Sequence, residues 1–317
     1  MRLPMPKVLI TDDVHPLLIK GLQERGYAVD FLPNITAEET LTIIENYTGL
    51  IINSKIFCGE ELLPKANQLN WIIRLGSGME VIDTGLCQQL GIHYANTPEG
   101  NCNAVAEHAL GLLLALMRNI VKSNNEVSNL QWIREANRGE ELSGKTVAIL
   151  GYGHTGAAFA KLLAPFHVKI LAYDKYRKGF AASSNYIVES TLDDIFNEAD
   201  ILSLHLPLTT ETNQWIDALF LNSFKKNIYL LNTSRGKVLN TSDALKMMEH
   251  GKVRAMALDV LENEKLNTLN APEQLILKRL TEYNKIILTP HIAGWTNESK
   301  EKIARFSLEK VDGFTSF

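Results

Sequence analysis

Short apolar runs alternate with longer amphipathic segments along almost the whole chain, and this alternation restricts the fold more than any other feature of the sequence. The runs at 7–11, 49–53 and 71–75 are each five residues long and rich in Ile, Leu or Val. The segments between such runs, for example 37–47, place their apolar residues at helical spacing. Alternating strands and helices predict parallel sheets that are covered by helices on both faces.

The alternation forms two series, and a length of 317 residues also favours two domains over one. The first series predicts strands at 7–11, 27–32, 49–53, 71–75 and 92–95. The second series matches a doubly wound dinucleotide-binding fold, with six strands at 146–150, 169–173, 201–205, 228–232, 255–260 and 286–289. We therefore predict an α/β fold with two doubly wound parallel-sheet domains. A Rossmann domain at 104–289 is inserted into a flavodoxin-like domain formed by 1–103 and 290–317.

A long helix is predicted at the junction of the two series. Residues 103–118 are rich in Ala and Leu and are apolar on most faces. A helix that is apolar all round is buried, so we place it between the domains or at a subunit contact.

Charge and cysteine content exclude several classes of partner. The net charge of -4 and the pI of about 6.1 argue against nucleic-acid binding, which needs a basic surface. Cys58, Cys87 and Cys102 follow no metal-binding spacing and are interpreted as reduced thiols, which predicts no metal site and a cytoplasmic location. The longest apolar stretch, 109–117, is too short to cross a bilayer, and the first residues show no signal peptide, so no membrane association is expected.

A glycine-rich loop follows one predicted strand directly and opens a predicted helix. Gly151, Gly153 and Gly156 form a Gly-x-Gly-x-x-Gly pattern between the strand at 146–150 and a helix that starts near 157. Glycines at these positions permit a tight turn and let backbone N–H groups approach a pyrophosphate at a helix N-terminus. The pattern alone is weak evidence, but the strand and the helix beside it supply the context that a dinucleotide site requires.

Asp174 ends the next predicted strand, where a carboxylate accepts hydrogen bonds from both hydroxyls of the adenosine ribose. The same charge repels a 2′-phosphate, so we predict NAD rather than NADP as the cofactor. Lys175 and Arg177 follow closely and leave the strictness of this preference open. A glycine-rich turn beside a surface aspartate is the alternative interpretation.

Three polar residues, Arg235, Glu264 and His291, follow predicted strands at the edge where open α/β sheets bind ligands. Reduction of a 2-oxo acid needs a cation for the carboxylate, a proton donor for the forming alkoxide, and a carboxylate that keeps the donor protonated. Arg supplies a bidentate fork, His titrates near neutral pH, and Glu suits the third role. On spacing alone, three unrelated loop residues are an equally good interpretation.

A series of short motifs from about residue 71 to residue 295 resembles the D-isomer-specific 2-hydroxyacid dehydrogenase family. No single motif settles the assignment, but all of them stand in the order of the family. Besides the glycine loop, they are Gly76-Ser-Gly-Met-Glu-Val-Ile-Asp83, Asn96-Thr-Pro, Val105-Ala-Glu-His108, Gly139-Glu-Glu-Leu-Ser-Gly-Lys-Thr146, His205-Leu-Pro207, Asn232-Thr-Ser-Arg-Gly236, Ala257-Leu-Asp-Val260 and Thr289-Pro-His-Ile-Ala-Gly294.

The resemblance implies an oxidoreductase that transfers hydride between NAD(H) and a small D-2-hydroxy acid or its 2-oxo acid. Arg235 corresponds to the substrate-binding arginine, His291 to the acid/base, and Glu264 to the carboxylate partner of that histidine. Residues 1–103 and the end of the chain correspond to the substrate domain. The resemblance also implies a homodimer.

The resemblance further implies which residues line the two pockets. Asp259 corresponds to the aspartate that holds the nicotinamide carboxamide, and the turn at 75–78 to the loop whose N–H groups bind the substrate carboxylate. The implied cofactor-binding residues are Ser77, Gly151, Gly153, His154, Thr155, Gly156, Asp174, Leu206, Pro207, Thr233, Ser234, Arg235, Asp259, His291 and Gly294. The implied substrate-binding residues are Asn53, Ser54, Lys55, Leu75, Gly76, Ser77, Gly78 and Arg235.

Four departures from the family pattern bear on function. His154-Thr155 replaces the usual Arg-Ile of the glycine loop, which puts a side-chain contact to the pyrophosphate in doubt but not the backbone cradle. Lys265 replaces the usual proline, and the segment 265–285 is longer than usual. Asn53 stands where phosphoglycerate dehydrogenases use an arginine for phosphate, which weakens the case for a phosphorylated substrate.

The sequence does not identify the substrate, because fold and catalytic residues are shared across the family. Trp132-Ile-Arg134 matches phosphoglycerate-type sequences, although a helix end packed under the glycine loop explains it equally well. We predict a small acid of the hydroxypyruvate or glyoxylate kind, with 3-phosphoglycerate as the close competitor. Members that act on formate or phosphite, and corepressors of the same fold that bind NAD and recruit protein partners, are the alternative functions.

Overall fold

The structure is a computed structural model that describes residues 5–182 and 184–315. The chain divides into two compact units. The first unit comprises Met1–Cys102 and Trp295–Phe317, and the second comprises Asn103–Gly294. Each unit is built around its own parallel sheet.

The sheet of the first unit has five strands, in the order β2-β1-β3-β4-β5 of flavodoxin-like folds. The strands are β1 (Lys7–Ile10), β2 (Ala28–Phe31), β3 (Gly49–Ile52), β4 (Trp71–Arg74) and β5 (His93–Asn96). Successive residues of β3 belong to different hydrophobic clusters, Leu50 to one and Ile51 to the other. Because side chains alternate across a strand, both faces of this sheet are buried.

The sheet of the second unit has seven parallel strands, and the two sheets together confirm the predicted α/β fold. The strands are β6 (Thr146–Leu150), β7 (Lys169–Tyr173), β8 (Ile187–Glu189), β9 (Ile201–Leu204), β10 (Ile228–Asn232), β11 (Val253–Leu258) and β12 (Ile286–Leu288). Their order, β12-β11-β10-β9-β6-β7-β8, is doubly wound. The prediction of six strands was wrong by one, because β8 is only three residues long and lies at the sheet edge, where Val188 is 48% exposed.

Helices lie between the strands, as the alternation predicts. They are α1 (Pro16–Glu24), α2 (Ala37–Ile43), α3 (Thr84–Gln89), α4 (Pro98–Met117), α5 (Ile120–Ser128), α6 (His154–Leu163), α7 (Leu192–Glu198), α8 (Ala218–Asn222), α9 (Thr241–Glu249), α10 (Ala271–Glu282) and α11 (Asn297–Thr315). Short 3-10 helices occupy Ile44–Asn46, Leu63–Lys65, Glu135–Asn137, Ala164–Phe166, Gly236–Val238 and Leu266–Thr268. Among the described residues no single helix is long and apolar enough to span a membrane. Within the same part of the chain, only α4 and α5 taken as a pair, with a bend of 63° between them, have the length and apolar composition of a membrane span.

The helix predicted at 103–118 is α4, which begins earlier than expected, at Pro98. Proline is favoured in the first turn of a helix, where its missing N–H group would have no partner inside the helix. Ala109, Leu113 and Met117 of α4 are buried in the core of the second unit, so the prediction of a buried helix is confirmed. The boundary between the units falls within α4.

The last helix, α11, completes the core of the first unit. Its residues Leu308 and Val311 are buried in the same hydrophobic cluster as Val8 of β1. Arg25, just after α1, forms a bidentate pair with Asp312 in which both N–O distances are 2.6 Å. The first unit therefore consists of two stretches of chain that are separated in sequence by the whole of the second unit.

Candidate active site

Arg235, Glu264 and His291 follow three neighbouring strands of the second unit. The strands β10, β11 and β12 pair in parallel, so their carboxyl ends open at the same edge of the sheet. Arg235 and His291 each come three residues after their strands, and Glu264 comes six residues after β11. The fold thus places all three residues at the edge where such sheets bind ligands.

His291 and Glu264 are hydrogen-bonded to each other. Nδ1 of His291 lies 2.9 Å from Oε2 of Glu264, and the two side chains are 48% and 44% exposed. A carboxylate at this distance fixes the orientation of an imidazole. The pair has the arrangement of a general acid/base with a carboxylate partner.

The loop that holds His291 is anchored by the buried side chain of Asp259. The Asp259 carboxylate accepts the N–H of Ile292 through Oδ1 and the N–H of Ala293 through Oδ2, both at 2.9 Å. It also accepts the Thr289 hydroxyl at 2.5 Å, and the main-chain N–H of His291 donates to the Asp259 carbonyl at 2.7 Å. The φ of His291 is 56°, a left-handed conformation that is strained for a residue with a Cβ. These bonds hold the strained residue in place.

Arg235 lies on a loop that is fixed by local contacts. Asn232, the last residue of β10, donates from Nδ2 to the Arg235 carbonyl at 3.0 Å and accepts the hydroxyl of Ser234 at 2.8 Å. The Arg235 guanidinium donates from Nη1 to the Ser234 carbonyl at 2.7 Å. A Cβ on Gly236 would lie 1.9 Å from the carbonyl oxygen of Leu261, so the loops after β10 and β11 pack together only if this residue is glycine.

The glycine loop joins β6 to α6 and fits a dinucleotide. Gly151 has a φ of 90°, and a Cβ there would lie 2.4 Å from the carbonyl oxygen of His205. A Cβ on Gly156 would lie 2.1 Å from the carbonyl oxygen of Gly151. Gly153, the N-cap of α6, faces open space. This leaves the first N–H groups of the helix accessible to a pyrophosphate.

Asp174 follows β7 and is held as a carboxylate by backbone N–H groups. Its Oδ2 accepts the N–H of Tyr152 at 2.9 Å, and its Oδ1 accepts the N–H groups of Tyr176 and Arg177 at 3.0 and 2.9 Å. Partial burial opposes ionisation, but these hydrogen bonds outweigh it and lower the pKa of Asp174. Asp174 therefore carries the negative charge that would repel a 2′-phosphate.

The two cations that follow Asp174 have partners of their own. Nζ of Lys175 lies 2.6 Å from Oε2 of Glu211, and Nη1 of Arg177 donates to the Tyr152 carbonyl at 2.5 Å. Both contacts compete with a hydrogen bond to a 2′-phosphate. The surroundings of Asp174 therefore favour NAD over NADP.

Several more residues of the second unit are assigned to the cofactor pocket by the sequence, and they lie on loops after the strands or in the first turn of α6. The hydroxyl of Thr233 is buried, and among the described residues it has no hydrogen-bond partner. A buried hydroxyl of this kind fits a polar ligand that would satisfy it. The others are Leu206 and Pro207 after β9, Ser234 after β10, His154 and Thr155 in the first turn of α6, and Gly294 at the end of the histidine loop.

In the first unit, the turn after β4 is held by the residues at the end of β5. The hydroxyl of Thr97 accepts the N–H of Gly76, and the N–H of Thr97 donates to the Gly76 carbonyl, both at 2.9 Å. Asn96 donates from Nδ2 to the Ser77 carbonyl at 2.6 Å, and the Ser77 hydroxyl donates to Asn101 at 3.1 Å. The turn contains the four predicted substrate-binding residues Leu75, Gly76, Ser77 and Gly78.

The other predicted substrate-binding segment, Asn53 to Lys55, follows β3. Its start is fixed, because Asp12, just after β1, accepts the N–H of Asn53 at 2.9 Å. Nζ of Lys55 donates to the carbonyl of Pro33 at 2.6 Å, and Ser54 is exposed. The ammonium group that a substrate phosphate would need is therefore already bound to a carbonyl oxygen.

Trp132 is 81% exposed within the single chain. One of the two interpretations of Trp132-Ile-Arg134, a helix end packed under the glycine loop, is therefore wrong. The segment follows α5 without regular secondary structure and presents its indole to solvent.

Several positioning groups were given no role from the sequence. Asp12 anchors Asn53, Thr97 holds the turn after β4, and His108 lies with its Nε2 3.5 Å from Oδ1 of Asp259. Asp12 follows β1, so the same strand-end rule that found Arg235 would have found it. Thr97 and His108 belong to family motifs, but only their side-chain contacts show what they do.

Comparison with known proteins places these features in a family. The family model described as the NAD binding domain of D-isomer specific 2-hydroxyacid dehydrogenases matches residues 110–293. A D-3-phosphoglycerate dehydrogenase from Synechocystis sp. is 32% identical over 307 residues, which are 97% of this chain and 54% of that protein. A glyoxylate reductase from Thermofilum pendens is 35% identical over 279 residues, which are 86% of this chain and 80% of that protein.

The fold is shared with solved structures. The crystal structure of a D-lactate dehydrogenase from Aquifex aeolicus, complexed with NAD and lactic acid, has a TM-score of 0.82 and 25% identity, covering 97% of this chain and 95% of that chain. The present chain spans about half the length of the phosphoglycerate dehydrogenases that it matches. The match to this family model confirms the resemblance that the sequence motifs indicate. It also confirms NAD as the expected cofactor. The chain therefore belongs to the D-isomer specific 2-hydroxyacid dehydrogenase family, with the family's NAD-binding domain at residues 110–293.

Proposed function

We propose that the protein is an NAD-dependent dehydrogenase that interconverts a small D-2-hydroxy acid and its 2-oxo acid. The observation that most directly supports this is the 2.9 Å hydrogen bond between Nδ1 of His291 and Oε2 of Glu264. It provides a proton donor with its carboxylate partner, at the same sheet edge as the cation of Arg235. A proton donor, its carboxylate partner and a carboxylate-binding cation are the protein groups that reduction of a 2-oxo acid needs.

In the reductive direction, the Arg235 guanidinium binds the carboxylate of the 2-oxo acid through a bidentate pair of hydrogen bonds and so orients the adjacent carbonyl. His291 donates a proton to the carbonyl oxygen as C2 becomes tetrahedral, and Glu264 stabilises the imidazolium before the transfer. Bound NADH supplies the hydride. In the oxidative direction, His291 takes the proton back from the hydroxyl group.

For the substrate, we favour glyoxylate or hydroxypyruvate over 3-phosphohydroxypyruvate. Asn53 provides no charge for a phosphate, and the Lys55 ammonium is engaged with the Pro33 carbonyl. A charge-assisted hydrogen bond contributes about 1.5–3 kcal/mol, so its loss is enough to shift the preference to a smaller acid. The glyoxylate reductase relative, which this chain covers more fully than the phosphoglycerate dehydrogenases, is consistent with this choice.

The test is turnover by the purified chain with NADH and equal concentrations of glyoxylate, hydroxypyruvate and 3-phosphohydroxypyruvate. We expect oxidation of NADH with the two small acids, and a higher kcat/KM for them than for the phosphorylated compound. NADH binding without turnover of any 2-oxo acid would contradict the proposal and favour a corepressor-type function.

We further propose that the protein is a cytoplasmic homodimer. A segment that we call the apolar arm, residues 120–133, exposes six large apolar side chains, and exposed apolar surface of this kind marks interaction sites. Cys58 and Cys87 are buried free thiols, in keeping with a reducing compartment. The exposed apolar residues of the arm are Ile120, Val121, Val127, Leu130, Trp132 and Ile133.

The oligomeric state is tested by sedimentation of the wild type and of Leu130→Glu, a change at a side chain that is 97% exposed in the single chain. A charge placed in a dimer interface should give monomers. Leu219→Glu on α8, where the leucine is 80% exposed, is the matched control and should stay dimeric. A monomeric wild type contradicts the homodimer, and fractionation of cells that express the tagged chain tests its location.

A further inference from the structure

His108 approaches the anchor of the histidine loop from a different element, helix α4. Its Nε2 lies 3.1 Å from the hydroxyl oxygen of Thr289 and 3.5 Å from Oδ1 of Asp259. The His108 side chain is 23% exposed, whereas the Asp259 side chain is fully buried. The imidazole therefore closes one side of the buried carboxylate that holds the loop.

The protons in this contact can be assigned by counting donors. The Thr289 hydroxyl has one proton, and at 2.5 Å from Oδ1 of Asp259 it donates that proton to the carboxylate. The Thr289 oxygen must then act as the acceptor toward His108. Nε2 of His108 consequently bears a hydrogen, which fixes the direction of the bond from His108 to Thr289.

A single run of hydrogen bonds thus leads from α4 to the acid/base. His108 donates to Thr289, and Thr289 donates to the Asp259 carboxylate, which in turn accepts the N–H groups of Ile292 and Ala293. Those two residues follow His291, whose left-handed backbone depends on being held. A change at His108 therefore acts on the orientation of His291 through the loop.

We propose that His108 is a positioning residue for His291: it keeps the Thr289 hydroxyl and the Asp259 carboxylate in the orientation that holds the loop. The proposal deepens the proposed function and rests on it for its kinetic readout only. Loosening of the loop should lower kcat, because a reacting group displaced by about 1 Å can cost 10²-fold in rate. It should leave substrate binding, which depends on Arg235, nearly unchanged.

The test compares His108→Leu, which removes the donor but keeps a bulky side chain, with His108→Gln, which restores an N–H donor. For His108→Leu we expect faster hydrogen exchange at the amides of His291, Ile292 and Ala293. We also expect kcat with hydroxypyruvate to fall roughly 10-fold, the effect of about one lost hydrogen bond. The KM should change less than about 2-fold, since substrate binding depends on Arg235 and not on the histidine loop. His108→Gln should recover most of both effects.

Two further variants separate positioning from general loss of structure. His250→Leu removes an exposed histidine at the end of α9, whose Nδ1 lies 2.8 Å from the Lys246 carbonyl, and should leave exchange in the histidine loop unchanged. Thr289→Val breaks the same run of bonds, so its effect on exchange should not add to that of His108→Leu.

Wild-type exchange and wild-type kcat in His108→Leu would overturn the proposal. So would faster exchange spread over β6 and β9 as well as the loop, because that pattern reports a structural role only. If the wild type turns over no 2-oxo acid, the proposed function fails, and the exchange measurements still decide whether His108 positions the loop.

Discussion

The histidine loop and the segment that begins at Asn53 both follow sheet strands, yet the structure holds them very differently. In the histidine loop, a hydroxyl and two N–H groups converge on the fully buried carboxylate of Asp259. The segment after β3 has one such anchor, the bond from the Asn53 N–H to Asp12. Beyond it, Lys55 is an exposed residue whose Nζ donates to the Pro33 carbonyl, and Phe57 is 61% exposed.

This difference separates the chemistry of the family from the choice of substrate. Proton transfer requires that the reacting atoms are fixed within fractions of an ångström. A loop whose polar groups are hydrogen-bonded to a buried carboxylate provides this precision. The identity of the acid depends on a few side chains on a looser segment, and such a segment tolerates substitution without loss of the fold.

The largest effect should come from His291→Asn. Asparagine tolerates the left-handed backbone at this position better than most residues, so the loop should keep its shape while the proton donor is lost. We expect kcat to fall by about 10²- to 10⁴-fold, the usual contribution of general acid–base catalysis. NADH affinity, measured by fluorescence titration, should be nearly unchanged. A kcat close to that of the wild type would mean that another group donates the proton.

The next effect should come from Gly156→Ala, because its new Cβ would lie 2.1 Å from the Gly151 carbonyl oxygen. Such overpacking costs about 1–3 kcal/mol of unfolding free energy, measured by urea denaturation without cofactor. Gly153→Ala is the matched control, since its Cβ meets open space and should leave stability near that of the wild type. Both variants should weaken NADH binding. Equal stabilities of the two variants would contradict the close approach in the loop.

A smaller effect is expected for Asp174→Asn, which keeps the shape of the side chain and removes its charge. We expect kcat/KM with NADH to fall about 10-fold, the lower end of the loss for a charge-assisted hydrogen bond, and the NADPH to NADH ratio to rise. Glu211→Gln, which releases Lys175 and leaves Asp174 intact, should raise the use of NADPH by a smaller factor. A wild type that prefers NADPH would reverse the assignment.

The smallest effect is expected on the looser side, for Lys55→Ala. An exposed side chain away from the core should change the unfolding free energy by no more than about 0.5 kcal/mol, and turnover of glyoxylate should be little affected. The informative measurement is the ratio of kcat/KM for 3-phosphohydroxypyruvate to that for glyoxylate. A selective loss of the phosphorylated substrate in this variant would place its phosphate at Lys55 and reverse our choice of acid.

Much of the fold was predictable because it depends on periodicity and on strand ends. The predicted strands at 146–150, 169–173 and 228–232 have the bounds of β6, β7 and β10, since parallel strands that are covered on both faces are nearly continuous apolar runs. The rule that ligands bind at the carboxyl ends of such strands was enough to select Arg235 and His291.

The rest depends on contacts that no local pattern encodes. The anchor of the histidine loop joins His108 of α4 to Asp259 and Thr289, which come directly after β11 and β12, and His108 and Thr289 are 181 positions apart. The exposure of Trp132 could not be read from its sequence neighbours, because an aromatic residue after a helix is equally compatible with a packed end. The partner of Lys55, the Pro33 carbonyl, lies 22 positions away on another loop.

The discontinuity of the first unit has a consequence for how the chain matures during synthesis. All seven strands of the second unit lie in one uninterrupted stretch, so this unit can fold as soon as it leaves the ribosome. The five strands of the first unit emerge earlier, yet their core stays open until α11 arrives to cover Val8 and to pair Asp312 with Arg25. The unit whose strands are made first is therefore the unit that is completed last, and a stalled chain would expose the apolar surface of that unit to chaperones.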